Sequence, residues 1–132
     1  MNCNFRDNQI LVMNFKIENK DNYSIVASKL EKLDAQVAPD LKSELVYLNK
    51  NGVKSIIIDL SETRYCDSSG LSALLIANRM CKEQNGTFVL TGLNDPVKKL
   101  IVISQLDSVL NITHTLSEAE DLLMMEELGK NL

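Results

Sequence analysis

The sequence predicts an α/β domain with a mainly parallel sheet and helices packed on it. Three observations carry this. Short apolar runs rich in β-branched residues alternate with segments of helical period. The stretch Val53 to Leu60, centred on Ile56, Ile57 and Ile58, is almost continuously apolar, as in a strand buried on both faces. Proline or serine stands near several helix starts, and Asn-Gly stands near two helix ends.

Taken in order, Ile10 to Phe15 is the first predicted strand and Tyr23 to Ser28 the second. The polar segment Glu18 to Asn22 between them predicts a hairpin or a pair of neighbouring strands. Asp34 to Val37 is a turn. Pro39 suits the first turn of a helix, where its missing N–H costs nothing. Leu41, Leu45 and Leu48 then form one apolar stripe, and Asn51-Gly52 ends the helix. The Val53–Leu60 strand follows, and a second helix is predicted over Ser68 to Glu83, closed by Asn85-Gly86. Thr87 to Thr91 is the next buried strand. Asp95-Pro96 opens a helix through Ile103, and Val109 to Ile112 is a short strand. Ser117 as N-cap with Glu120 three residues on is a capping box for the last helix. The tail Gly129 to Leu132 is expected to fray. The order is β, β, α, β, α, β, α, β, α, and such alternation implies a mainly parallel sheet.

At 132 residues the chain is expected to form one domain over residues 1–132. A domain of this size buries roughly two-thirds of its unfolded surface and needs no metal or disulfide staple. Net charge is −4, with no basic block and few aromatics, which argues against direct nucleic-acid binding. No apolar run is long enough to span a bilayer, so no membrane insertion is expected. Met1 to Asp7 has no charged-then-apolar signal region, and the expected location is the cytoplasm. Cys3, Cys66 and Cys81 are odd in number and widely spaced, suggesting neither a disulfide framework nor a metal site. No cofactor is implied.

The segment with functional content is Ile57 to Leu71. A buried strand feeds a loop ending in Asp67-Ser68-Ser69-Gly70, and an apolar helix starts at once. Asp67 and Ser68 are good N-caps, since their side-chain oxygens accept the free N–H groups of a first turn. That helix end also tolerates anions. A phosphate on serine there would add about −1.5 to −2 charges at neutral pH without unfolding the domain.

Here the sequence resembles the STAS domain of bacterial anti-sigma-factor antagonists. The matching pieces are Lys32-Leu33-Asp34-Ala35, Ala38-Pro39-Asp40-Leu41, Ile57-Ile58-Asp59-Leu60-Ser61, Asp67-Ser68-Ser69-Gly70-Leu71 and Val97-Lys98-Lys99-Leu100. Together they run from about residue 9 to 126. The resemblance implies a mixed four- to five-stranded sheet with helices largely on one side. It also implies a non-enzymatic binding protein. In that family the unphosphorylated antagonist binds an anti-sigma factor that is also a serine kinase, and so frees a sigma factor. The kinase phosphorylates the first serine of the motif and breaks the complex; a metal-dependent serine phosphatase restores it. By position the acceptor is Ser68, flanked by Asp67, Ser69 and Gly70, with Asp34 expected near it. Ser69 is the alternative acceptor. Two departures stand out: Arg64-Tyr65-Cys66 is more polar than the usual apolar pair, and Leu100 to Leu106 lacks the glycine often found before the last strand.

On a helical wheel for residues 71 to 83, Ala73, Leu74, Ile76, Ala77, Met80 and Cys81 make the expected core arc. Leu71 and Leu75 fall on the polar side with Arg79 and Lys82, one turn apart and close to Ser68, which marks Leu71, Leu75 and Arg79 as a partner surface. Lys98, Lys99 and His114 are expected to be ordinary solvated positions. Competing functions rest on thinner grounds. A GxSxG elbow, a Walker loop and a GxGxxG are all missing, and one histidine gives little support for a hydrolase. Asp59 after a central strand suggests a phospho-aspartate receiver, yet no acidic pair is placed to hold magnesium. Within the resembled fold, the alternative is an accessory subunit of a lipid or anion transport complex, docked on a transporter ATPase without phosphorylation.

Overall fold

The structure is a computed structural model that describes residues 14–130 and the backbone of residues 9–12. Its main sheet begins with β1 (Gln9–Val12), β2 (Phe15–Asn19) and β3 (Ser24–Ser28), joined as successive antiparallel neighbours. After β4 (Lys32–Leu33) and α1 (Ala38–Lys50), β5 (Ile56–Asp59) pairs parallel to β3. Next come β6 (Tyr65–Cys66), α2 (Ser68–Glu83), β7 (Phe88–Thr91), α3 (Asp95–Ile103), β8 (Asn111–Thr113) and α4 (Leu116–Lys130). The strand order is β1-β2-β3-β5-β7-β8, with β3, β5, β7 and β8 parallel. A separate parallel pair joins β4 to β6.

The expected α/β class and mixed sheet are present, with one strand more than the four to five implied. The first predicted strand spans two structural elements, β1 and β2, and the polar segment after it is half strand. Phe15 and Ile17 are buried while Lys16 between them and Glu18 after them are less so, the period-2 pattern of a strand with one face on the core. Its polar half hid it. The predicted strand Val109 to Ile112 begins two residues later, at Asn111.

Strand alternation divides the core into two layers. Val26, Ile56, Ile58, Phe88 and Leu90 point to one face, where Leu41, Leu45 and Leu48 of α1, Leu74 and Ala77 of α2, and Val97 and Ile101 of α3 cover them. Ile25, Ile57 and Val89 point to the other face and meet only Ala119 and Leu123 of α4 among fully buried residues. Three helices on one face and one on the other match the expected asymmetry. The Tyr23 hydroxyl, donating to the Glu120 carboxylate, ties the β2–β3 hairpin to α4.

Helix ends follow the local chemistry, with one exception. Pro39 sits in the first turn of α1, and Asn51 and Gly52 (φ +86°) end it. Both α2 and α3 keep the predicted bounds. The cap of α4, however, is Thr115 with Glu118, not Ser117 with Glu120. The Thr115 hydroxyl accepts the Glu118 N–H at 3.2 Å and donates to its carboxylate at 3.0 Å. Both pairs fit the spacing of the motif. The end of β8 at Thr113 brings Thr115 to the helix mouth first, and Glu120 is engaged by Tyr23 instead.

Candidate functional site

The candidate site lies where β5, β7 and the small β4–β6 pair deliver their loops, at the C-terminal end of the parallel strands. Strand β5 ends at Asp59, whose Oδ1 accepts the Ser61 N–H at 2.9 Å and turns the chain. That role gives Asp59 a structural partner in place of the receiver chemistry weighed from sequence. Thr63, fully buried, donates its hydroxyl to the Leu30 carbonyl at 2.7 Å and lies 2.9 Å from Ser28 Oγ. Asn94, just before α3, donates to the carbonyls of Ser61 (3.1 Å) and Thr63 (2.8 Å). Lys29 and Glu62 close the rim with an ion pair of 2.7 Å. The loop over residues 61–64 is therefore tied from three sides before it reaches the motif.

From there the chain pairs briefly with β4: Lys32 lies opposite Tyr65 and Leu33 opposite Cys66. The Asp67 N–H then reaches the Leu33 carbonyl at 3.3 Å. Asp34 follows directly on Leu33, the last residue of β4. Asp34 itself serves its turn, accepting N–H groups from Gln36, Val37 and Ala38 through Oδ1 and its carbonyl.

Asp67 is the N-cap of α2. Its Oδ1 accepts the Ser69 N–H at 2.9 Å and the Gly70 N–H at 3.1 Å. The cap is thus made by one of the two residues that the sequence offered. Ser68, the first residue of the helix, is exposed, and among the described residues no hydrogen bond holds its hydroxyl. Ser69 is half-buried. Gly70 is buried against β4: a Cβ there would stand 2.2 Å from the Leu33 carbonyl oxygen and 2.8 Å from Cys66 Sγ. Only a residue without a side chain lets α2 start so close to that strand.

Cys66 lies beneath the motif. Burial, and then the neighbouring Asp67 carboxylate, push its thiol up to about 12. A thiol so reluctant to ionise is a poor nucleophile, and it packs in the core cluster. Chemically the site offers an accessible hydroxyl at a helix start, next to the Asp67 carboxylate that caps it.

The wheel placement of Leu71 and Leu75 is corrected here. Leu71 is 8% exposed and belongs to the main core cluster; Leu75 is half-buried and packs against it. The buried arc of α2 runs through Ala73, Leu74, Ala77, Asn78 and Cys81 to Leu71, rotated from the expected one. Helix α2 packs on α1 as well as on the sheet. Ile76 and Met80, placed in the core by the wheel, are half-buried at its edge. Arg79 is exposed, as expected. Three contributors carried no sequence signal: the Leu33 carbonyl acts through main chain, and Thr63 and Asn94 are isolated polar residues in loops.

The family model for the STAS domain matches residues 14–119. A protein of Listeria monocytogenes named anti-sigma-B factor antagonist is 31% identical over 107 residues, covering 80% of this chain and 93% of that one. A crystal structure of an anti-sigma factor antagonist from Mycobacterium paratuberculosis is 22% identical, with a TM-score of 0.75, covering 83% of this chain and 92% of the other. SpoIIAA of Bacillus is similar in fold in both its forms. The unphosphorylated form has a TM-score of 0.67 at 19% identity, covering 83% of this chain and 97% of its own. The phosphorylated form has a TM-score of 0.65 at 20% identity, covering 81% and 96%.

Proposed function

Because the chain belongs to the STAS-domain family of bacterial anti-sigma-factor antagonists, we propose that its unphosphorylated form binds an anti-sigma factor that is also a serine kinase, releases a sigma factor, and is switched off by phosphate on Ser68. The observation that carries this reading is the division of labour at the start of α2. Asp67 caps the helix, and the Ser68 hydroxyl is left exposed on a fixed backbone. Modification of Ser68 removes no hydrogen bond that the described fold uses.

The switch then works by charge at the surface. A phosphoserine adds about −1.5 to −2 charges, next in the chain to the Asp67 carboxylate. At a protein interface that group must shed water and face whatever the partner presents there. Each 1.4 kcal/mol of that penalty weakens binding about tenfold. The backbone need not move. Exposed Arg79, on the same helix, and Ser69 border the surface the partner covers, with half-buried Leu75 at its margin. Leu71 supports that surface from inside. A serine phosphatase acting on Ser68 would reset the cycle.

The test is incubation of the protein with ATP and an anti-sigma-factor serine kinase, read by intact mass and peptide mapping. Gain of one phosphate, located on Ser68, with loss of kinase binding, supports the reading. Ser68→Ala should abolish the gain while its thermal melt matches wild type. Phosphate on Ser69 in the unaltered chain, or undiminished kinase binding after modification of Ser68, would overturn it. Tight binding to a transporter ATPase with no phosphate gained would support a transport subunit instead.

A further inference from the structure

Two exposed apolar patches stand on α4 and α3, the first bordered by acidic side chains and the second mainly by lysines. On α4, Ala119 and Leu123 face the sheet, yet Met124, Met125 and Leu128 stand outward, Met125 70% and Leu128 64% exposed. A helix with apolar residues on both faces is expected to be covered on both. Asp121 stands one turn before Met124 and Met125, and Glu126 borders a depression of about 370 Å³ with Leu122, Met125, Gly129 and Lys130. Among the described residues neither Asp121 nor Glu126 has an ion-pair partner. The Lys130 ammonium turns away, donating to the Asn85 carbonyl and to Thr87 Oγ1, both at 2.9 Å.

On α3, Val97 and Ile101 face the core, while Val102 and Ile103 stand outward, Ile103 77% exposed. Lys98 and Lys99 lie one turn before them and share a depression of about 450 Å³ with Asp95, Val102 and Ile103. Neither lysine has an ion-pair partner among the described residues.

We propose that the α4 face of one copy of this chain docks on the α3 face of a second copy. The two patches match in order as well as in kind. Each helix carries charge first and apolar side chains one turn later. Laid parallel, Asp121 meets Lys98 and Lys99 while Met124, Met125 and Leu128 meet Val102 and Ile103. Pairing α4 with α4 would set Asp121 and Glu126 of both copies together in a chain already at −4. The acidic rim likewise disfavours an anionic lipid surface. Since α3 and α4 cover opposite faces of the sheet, the contact is heterologous, and each copy keeps a free face for the next. A patch of a few side chains is small beside the roughly 800 Å² per partner of a stable complex, so the association is weak and grows with concentration. The α4 half of the contact is remote from the Ser68 switch, while α3 starts beside the site loop, where Asn94 holds Ser61 and Thr63. Helix α2 starts at the C-terminal ends of the strands, whereas the end of α4 is tied to Ser55 through Glu127 and to Asn85, before β5 and β7.

Sedimentation equilibrium of the full chain, from about 10 μM to about 1 mM, tests this. The weight-average mass should rise with concentration, fall with added salt, and be unchanged by Ser68→Ala. Met125→Lys with Leu128→Lys should abolish the rise, and so should Lys98→Glu with Lys99→Glu; matched circular dichroism melts show that both variants fold. An equimolar mixture of the two variants leaves one α4 face and one α3 face intact, so its mass should climb to two chains and stop. A chain that stays monomeric throughout overturns the proposal. So does association that either variant leaves intact, or a mixture that forms no pairs.

Discussion

Gly70→Ala sets a single methyl group against main chain. The new Cβ would lie 2.2 Å from the Leu33 carbonyl oxygen, 2.8 Å from Cys66 Sγ and 2.9 Å from Leu33 Cγ. Carbon and carbonyl oxygen approach comfortably only to about 3.3 Å. The nearest atom belongs to backbone and cannot swing aside, so the start of α2 must retreat from β4 by about 1 Å. Retreat stretches the 3.3 Å bond from the Asp67 N–H to the Leu33 carbonyl, worth about 1 kcal/mol. It also disturbs the packing of Leu33, Cys66 and Leu71, and overpacking of this kind costs about 1–3 kcal/mol. The total is about 2–4 kcal/mol, or a fall in Tm of about 6–16 °C for a chain of this length. Urea denaturation followed by far-ultraviolet circular dichroism measures it directly. The folded fraction should also accept phosphate on Ser68 more slowly, because the serine rides on the displaced turn. A variant within about 0.5 kcal/mol of wild type would refute the reasoning, since surface-like substitutions stay in that range.

Three further outcomes follow from the same geometry. Leu71→Ala should destabilise by about 2–4 kcal/mol as a core truncation, and Leu75→Ala by clearly less; equal losses in urea melts would contradict their different burial. Asp67→Ala should cost about 1 kcal/mol through loss of the cap to Ser69 and Gly70, and a melt unchanged from wild type would show that the cap contributes nothing. The Cys66 and Cys81 thiols are both pushed by burial from about 9 to about 12. They hold their protons longer in the folded chain, so unfolding releases protons between those values and stability falls as pH rises through that window. The thiol of Cys81 is the test case: Cys81→Ala should lower stability at pH 8 yet flatten the alkaline decline relative to wild type, and an unchanged slope between about pH 8.5 and 10.5 would count against the buried-thiol account.

The parts of this protein that were legible in its sequence are those decided within a few residues of themselves. Val53 to Leu60 announced a strand buried on both faces, and the structure divides Ile56 and Ile58 from Ile57 between two cores as alternation requires. The bounds of α2 and α3 followed from Asp67, Asn85-Gly86, Pro96 and the helical period, because caps and breakers act on their own backbone. Tertiary structure decided what these signals left open. Two capping boxes fitted the entry to α4, and the end of β8 selected Thr115. The half-polar β2 became a strand because β1 and β3 supplied its hydrogen-bond partners. The buried arc of α2 extends to Leu71, which a wheel of one helix cannot foresee, since α2 packs on α1 as well as on the sheet. Ser68 could be read from sequence as a cap or as an exposed hydroxyl; which one it is depended on Asp67 taking the cap. Gly70 had a reason for its identity only once a carbonyl from Leu33, 37 residues earlier in the chain, lay against it. Periodicity and capping are properties of neighbouring residues, whereas close approach between distant backbones is a property of the packed whole, and this site is built from both.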